Sequence, residues 1–281
     1  MAGAVARKQR RFNFRGSLGI PFAAFLLVFV IIPLCLIVYY AFTDSNGRFY
    51  LGNWQTIFTS ADKWMLIGRT FLVAFLTTLI CLLIAYPIAF ILSNRKINKN
   101  KVLVYLFILP MWVNFVLRTI ALRDMVNWLT SALSNFQLTA KYPLVGVVVG
   151  MVYDYLPFAI LPLYNQMLKL DKNQIEAAAD LGANPVQVFT KNIIPMTIPG
   201  IVSACTMTFM PTMSSYVIAF FMGNGKPEAS IIGTQIEKYA SGGNYNAASI
   251  LSLLMLVIIT LSVVGERFLT KKDETRKGGI W

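Results

Sequence analysis

The 281-residue chain has no histidine. That removes the side chain used most often as a general base near neutral pH and as a metal ligand. It has three cysteines, Cys35, Cys81 and Cys205, all inside apolar runs. They read as small core residues, so neither a disulfide framework nor a metal site is expected. Charge is scarce: 13% of residues are charged, where a soluble domain carries roughly 25%. No Walker A sequence GxxxxGK[ST] occurs; Gly225-Lys226 is followed by Pro227 and lacks the upstream glycine. The chain is therefore not expected to hydrolyse ATP. A membrane enzyme is disfavoured by the missing histidine and the few intramembrane carboxylates, and no catalytic residue is assigned.

What is present is apolar. The chain is 57% hydrophobic, with a mean hydropathy of +0.63. Its formal net charge of +13 would suggest nucleic acid in a soluble protein. Here the basic residues sit at the ends of apolar spans, so the expected partner is the lipid bilayer and not nucleic acid. The run from Ile20 to Phe42 is longer than the apolar core of a signal peptide and ends in Tyr39, Tyr40 and Phe42. It reads as a retained membrane helix. Five further spans are expected near Leu66–Leu92, Val102–Thr119, Leu144–Leu168, Thr197–Met222 and Ala247–Gly265. With the N-terminus inside, 17 of the 25 basic residues fall in inner segments, which favours both termini in the cytoplasm. Residues 1–19 form a basic cytoplasmic segment, 20–268 the membrane domain and 269–281 a basic tail.

Three outer segments are more than turns. Residues 43–65 contain Trp54 and Trp64 and suggest a short interfacial helix. Residues 121–142 place Leu122, Val126, Leu129, Leu133 and Phe136 at helical spacing, as in a surface helix. That helix reads either as a protein contact or as a surface anchor. Residues 224–246 are glycine-rich, with a short helix over IIGTQIEKYA.

The polar stretch from Asp171 to Pro195 interrupts the apolar pattern. Asp171 can cap a helix, with Gln174 three residues on as in a capping box. Gly182 stands where a helix stops in the left-handed conformation. Asn184 and Pro185 restart the chain as N-cap and first helical residue, and Pro195 is expected to close the second helix. Glu176-Ala177-Ala178, the spaced Gly182 and the distal Pro195 resemble the EAA signature of importer permeases powered by an ATP-binding cassette. Asn192 departs from the apolar residue usual there. The resemblance implies that Glu176, Ala177, Ala178, Gly182 and Pro195 form a coupling helix seated in a separate ATPase subunit.

Three further blocks, LPMWVNFVLRT at Leu109–Thr119, the run Val152–Ala183 with its LPF and LPLY elements, and TIPGI at Thr197–Ile201, resemble the spermidine/putrescine permeases. The resemblance covers most of residues 20–268. It implies an all-α fold of six transmembrane helices, a type I importer permease with a cytoplasmic coupling loop at 169–195. It also implies an ATPase dimer holding ATP and magnesium, a second, usually different permease subunit, and an extracytoplasmic polyamine-binding protein. No cofactor or metal is expected in this chain.

A polyamine is a flexible polycation, so its path needs carboxylates, aromatic faces and oxygen ligands. Asp154 is the clear intramembrane acid, between Tyr153 and Tyr155. An aspartate at a helix centre costs roughly 2.5–3.5 kcal/mol on insertion scales. It reads either as a transient ligand for amines or as a partner of Arg118 or of the second permease. Ala204, Thr208, Thr212, Ser215 and Ala219 form one small, hydroxyl-bearing face of the fifth span, which serves packing or the path. Pro211 suggests a kink there. Arg118 is expected to pair with an acid or lie off the path. Other readings are the same machine with another solute, or a stand-alone secondary transporter or channel.

Overall fold

The computed structural model describes residues 19–44, 46–94 and 102–277, and among them the chain is helical apart from turns and one isolated bridge between Thr43 and Phe49. The basic segment 1–19 lies almost wholly outside the described residues, as do the last four residues of the tail. In chain order the principal helices are α1 (Ile20–Ala41), α2 (Gly52–Thr59), α3 (Ala61–Ser93), α4 (Val102–Trp112), α5 (Phe115–Ser134) and α6 (Pro143–Met167). They continue with α7 (Lys172–Asp180), α8 (Pro185–Ser214), α9 (Val217–Met222), α10 (Ile232–Ser241) and α11 (Tyr245–Lys277). Residues 169–184 mark one end of the bundle, the near end. Residues 43–60, 135–142 and 215–244 mark the far end.

Among the described residues, five helices are long and apolar enough to cross a membrane: α1, α3, α6, α8 and α11 as far as Gly265. The expected third span is different. It is a pair, α4 and α5, bent by 97°. At 1.5 Å per residue, the eleven residues of α4 reach about 16 Å, half of a hydrocarbon core of about 30 Å. The predicted continuous helix over Val102–Thr119 therefore ends at Trp112, and the predicted surface helix over 121–142 begins earlier, at Phe115. Two local features account for this. Pro110 lacks an amide donor, and Asn114 takes an extended conformation to cap α5. Leu122 is buried, whereas Leu129 and Leu133, further along the same face of α5, are exposed.

Helix α6 is the centre of the bundle. Half of its most apolar stretch is buried, and none of the corresponding stretch of α1 is. Val73, Cys81, Ala85 and Ala89 of α3 and Ala204 of α8 share a core with Met151, Ile160 and Leu163 of α6. Lipid tails are as apolar as leucine, so close packing and not hydrophobicity joins such helices, and small residues permit it. Gly150 shows how close: a Cβ there would stand 2.6 Å from Met222 Cγ. A second cluster, with Ala41, Ile57, Leu66, Ile232, Ile250 and Leu251, ties α1, α2, α3, α10 and α11 together. The short helices expected within 43–65 and 224–246 are α2 and α10.

Two further expectations are corrected. The fifth span does not continue to Met222; α8 ends at Ser214, Ser215 is extended, and α9 starts at Val217. Pro195 does not close a helix. The chain stays helical from Pro185 to Ser214 because Phe189–Ile193 form a π-helical turn, in which the Ile194 amide donates to the Phe189 carbonyl five residues back. The wider turn absorbs a proline that would otherwise strand its backbone partner.

Candidate functional site

The near-end joint is built from local preferences. The Asp171 carboxylate accepts the Asn173 amide at 3.0 Å. Helix α7 ends with the Gly182 amide donating to the Ala179 carbonyl and the Ala183 amide to the Ala178 carbonyl, the double bond of a Schellman stop. Gly182 has φ +83°, and a Cβ there would meet nothing within 4 Å. The glycine is needed for its backbone conformation, not for space. The reciprocal capping box forms one helix later than expected. Asn184 accepts the Gln187 amide at 2.8 Å, and Gln187 accepts the Asn184 amide at 3.1 Å.

This joint projects from the bundle. Glu176 and Ala177 are exposed and Ala178 is half-buried. Leu181 is 89% exposed and Val186 69%. Behind the joint, Phe189 meets Tyr86 and Phe90 edge-on, and the Tyr86 hydroxyl shares a 2.9 Å hydrogen bond with Thr197 Oγ1. The joint is thereby fastened to α3. Pro195 lies ten residues inside α8, just past the π-helical turn, exposed, and not in the joint itself.

The intramembrane residues are held differently. Asp154 is fully buried and pairs with Arg118, whose Nη2 stands 2.6 Å from Oδ1. The contact is bent away from an in-line hydrogen bond. The Thr119 hydroxyl donates to Asp154 Oδ2 at 3.0 Å. Tyr155 is buried and donates to the Pro211 carbonyl at 3.3 Å. Tyr153 is partly exposed, and the centre of its ring stands 5.7 Å from the Arg118 guanidinium. On α8, Thr208 and Thr212 donate to carbonyls of their own helix at 2.8 and 2.6 Å, and with Ala204 and Ala219 they are buried. Ser215 is buried at the end of the same face.

A far-end cleft of about 990 Å³ escaped the sequence reading. Its wall includes Asp62, Glu228 and Glu237, with Tyr216 and Phe220. The three carboxylates make no ion pair among the described residues. Four basic residues share the wall, Lys63, Arg69, Lys226 and Lys238, and three of them are engaged with neutral oxygens: Lys63 with the Tyr239 hydroxyl, Arg69 with the Pro227 and Ser230 carbonyls, Lys226 with the Ala140 carbonyl. Burial raises the Tyr239 phenol, but the hydrogen bonds from Lys63 and Gln235 and the nearby positive charge outweigh it and leave it below its ordinary range. No periodicity marks these residues, because the cleft joins helices far apart in the chain.

The family described as "binding-protein-dependent transport system inner membrane component" matches residues 76–272. The chain belongs to this family. As an inner-membrane, multi-pass permease component it has well-matched relatives. The spermidine/putrescine transport system permease protein PotB of Haemophilus influenzae is 31% identical over 89% of this chain and 93% of that protein. The protein of the same name in Escherichia coli is 27% identical over 89% and 96%. A PotB homolog of Mycoplasma genitalium is 26% identical over 82% and 81%. Among solved structures, a chain of the bacterial alginate ABC transporter in complex with alginate pentasaccharide-bound periplasmic protein superposes with a TM-score of 0.74 at 15% identity, covering 92% of this chain and 94% of that one. A chain of the MetNI methionine ABC transporter gives 0.57 at 18% identity, covering 76% and 99%. At such identities the structures establish the fold: the permease component has the type I ABC importer architecture.

Proposed function

We propose that this permease is a subunit of an ATP-driven importer that carries polyamines, spermidine or putrescine, into the cytoplasm. The observation that carries the reading is the similarity to the Haemophilus influenzae spermidine/putrescine permease along nearly the whole chain. The expected partners are an ATPase dimer that holds ATP and magnesium, a second permease, and an extracytoplasmic binding protein. The basic residues at 169, 172 and 191 and in the terminal segments support a cytoplasmic near end and cytoplasmic termini. The projecting joint then offers Glu176 for a basic residue of the ATPase, Ala177 and Ala178 for close approach, and Gly182 for the turn. Pro195 contributes to the stiffness of α8 behind the joint.

Asp154, Tyr153, Tyr155, Thr208, Thr212 and Ser215 are assigned to the path, with uneven support. Tyr153 is the exposed one of the six, and its ring can meet a cationic amine. The other five are turned into the bundle and would shape the path by packing. The far-end cleft brings Asp62, Glu228 and Glu237 beside the rings of Tyr216 and Phe220, groups that a cationic amine can contact, in a wall they share with four basic side chains. The test is uptake of labelled spermidine by cells lacking this chain, with and without its restoration, against putrescine and unrelated solutes as competitors. Restored uptake that yields only to polyamines is the expected result. Equal uptake with the protein present in the membrane would move the solute to another class.

A further inference from the structure

The break between α4 and α5 leaves backbone groups that must find partners within the protein. Val113 and Asn114 are extended, with ψ of 144° and 126°. A break frees carbonyls of the turn before it and amides of the turn after it. Hydrocarbon offers neither a partner. After the break, Asn114 Oδ1 accepts the amides of Val116 at 3.0 Å and Leu117 at 3.3 Å. Before it, the Pro110 carbonyl accepts the Val113 amide at 3.3 Å and Arg118 Nη1 at 2.8 Å. The other arm of the same guanidinium reaches Asp154 on α6. One side chain therefore touches the helix before the break and the central helix, while rooted in the helix after it.

We propose that Arg118 is a positioning residue: it fixes the right-angle bend of the third crossing by tying the Pro110 carbonyl to Asp154. The planar fork of arginine sends two donors in set directions, which a lysine ammonium on its flexible stem does not reproduce. The rings of Phe115 and Tyr153, 5.8 and 5.7 Å away, seat the cation between them. A buried ion pair contributes little net stability after desolvation, so its use here is to specify one arrangement. Arg118 Nε has no hydrogen-bond partner among the described residues. The clamp is held by a hydrogen bond to the Pro110 carbonyl and by charge at Asp154, not by a saturated set of hydrogen bonds, and it can open without breaking a complete network. Asp154 then serves the bend and does not meet solute while the clamp is closed.

The inference rests on the importer reading only for its uptake readout. Spin labels on Leu106 of α4 and Trp128 of α5, both exposed, report the bend in the full complex with the three cysteines replaced. The unaltered clamp should give one narrow distance distribution. Arg118→Gln and Arg118→Lys should broaden or shift it by about 5 Å, one helical turn. The exchange Arg118→Asp with Asp154→Arg should leave it broad, because an arginine at 154 starts from another helix and loses the Pro110 arm. In uptake, Arg118→Lys should lower the maximal rate about ten-fold with the half-saturating concentration unchanged. A distribution as narrow as the parent's in Arg118→Lys, which keeps a cation for Asp154, overturns the proposal. It does so whether or not Arg118→Gln accumulates in the membrane. A changed distribution in a chain that transports no polyamine would uphold the bend and count against the solute alone.

Discussion

Two helix breaks in this chain are made by opposite means. At Leu181–Asn184 the chain turns on residues whose own preferences demand it: a left-handed glycine, an asparagine cap and a proline at the first helical position. At Val113–Asn114 the local signals are a proline three residues early and one asparagine, and the angle is secured by a contact 36 residues away in sequence, Arg118 to Asp154. The first break projects and has nothing packed against its glycine. The second hangs on two side chains that are 9% and 0% exposed. A locally coded joint keeps its own shape without help from the bundle, and it meets α3 behind the turn, through Phe189. A joint coded by a buried pair is bound to the centre of the fold.

The comparison is broken most directly at the pair. Arg118→Leu strands the Asp154 carboxylate in the bundle, at a cost of about 3–5 kcal/mol. It should sharply reduce the thermal stability of the detergent-extracted protein. Adding Asp154→Leu should recover most of the loss, because two apolar side chains need no partner. A double variant as unstable as the single one would show that the pair does not bear on the second break. At the first break, Gly182→Val puts a β-branched residue at φ +83°, where an ordinary side chain costs about 1–2 kcal/mol. The bundle should remain intact in the membrane while solute carried per ATP falls. Gly182→Asn, which enters the left-handed region more easily, should retain coupling. Wild-type coupling in the valine variant would remove the joint from the mechanism.

The caps offer a finer contrast. Each break has an asparagine N-cap, and losing one costs about 1 kcal/mol in water. Asn184→Ala can turn to solvent for replacement hydrogen bonds. Asn114→Ala frees two amides within a membrane crossing, where an unmet group costs several kcal/mol. Melting of the purified variants should rank Asn114→Ala as clearly the more damaging. Equal effects would mean that water reaches the second break.

The same contrast explains what the sequence disclosed. The stop at Gly182 and the restart at Asn184 were legible because capping is a property of neighbouring residues. Pro195 was misread for a related reason. Proline ordinarily ends a helix, and nothing in the residue types of Phe189–Ile193 announces the π-helical turn that lets α8 continue. The third span was drawn through to Thr119 because hydropathy stays high across Trp112 and Phe115, and hydropathy has no term for direction. Arg118 and Asp154 were legible as possible partners, being rare charges in apolar surroundings. The second arm of Arg118, to the Pro110 carbonyl, was not, since it follows only from the bend it helps to make. The cleft between α3, α9 and α10 was invisible because its wall is assembled from segments about 150 residues apart.

The smallest expected effect decides what Asp154 is for. Asp154→Asn keeps the shape but leaves a single oxygen where Thr119 and the Arg118 guanidinium each meet a separate carboxylate oxygen, and it removes the charge. As a member of the clamp, the amide should lower the maximal rate of spermidine uptake modestly, by about two- to five-fold, the size expected when one coupled contact is weakened. The half-saturating concentration should stay the same, because the solute meets the same surfaces on arrival. As a ligand for substrate amines, the carboxylate would act in the opposite pattern. Its loss would raise the half-saturating concentration, and more for spermidine, with its additional amine, than for putrescine. A rise of that kind with an unchanged maximal rate would place Asp154 on the path and leave Arg118 as its resting counter-ion. The pattern expected from the geometry is the first, since both carboxylate oxygens already have protein partners and none of the side chain is open to an arriving cation.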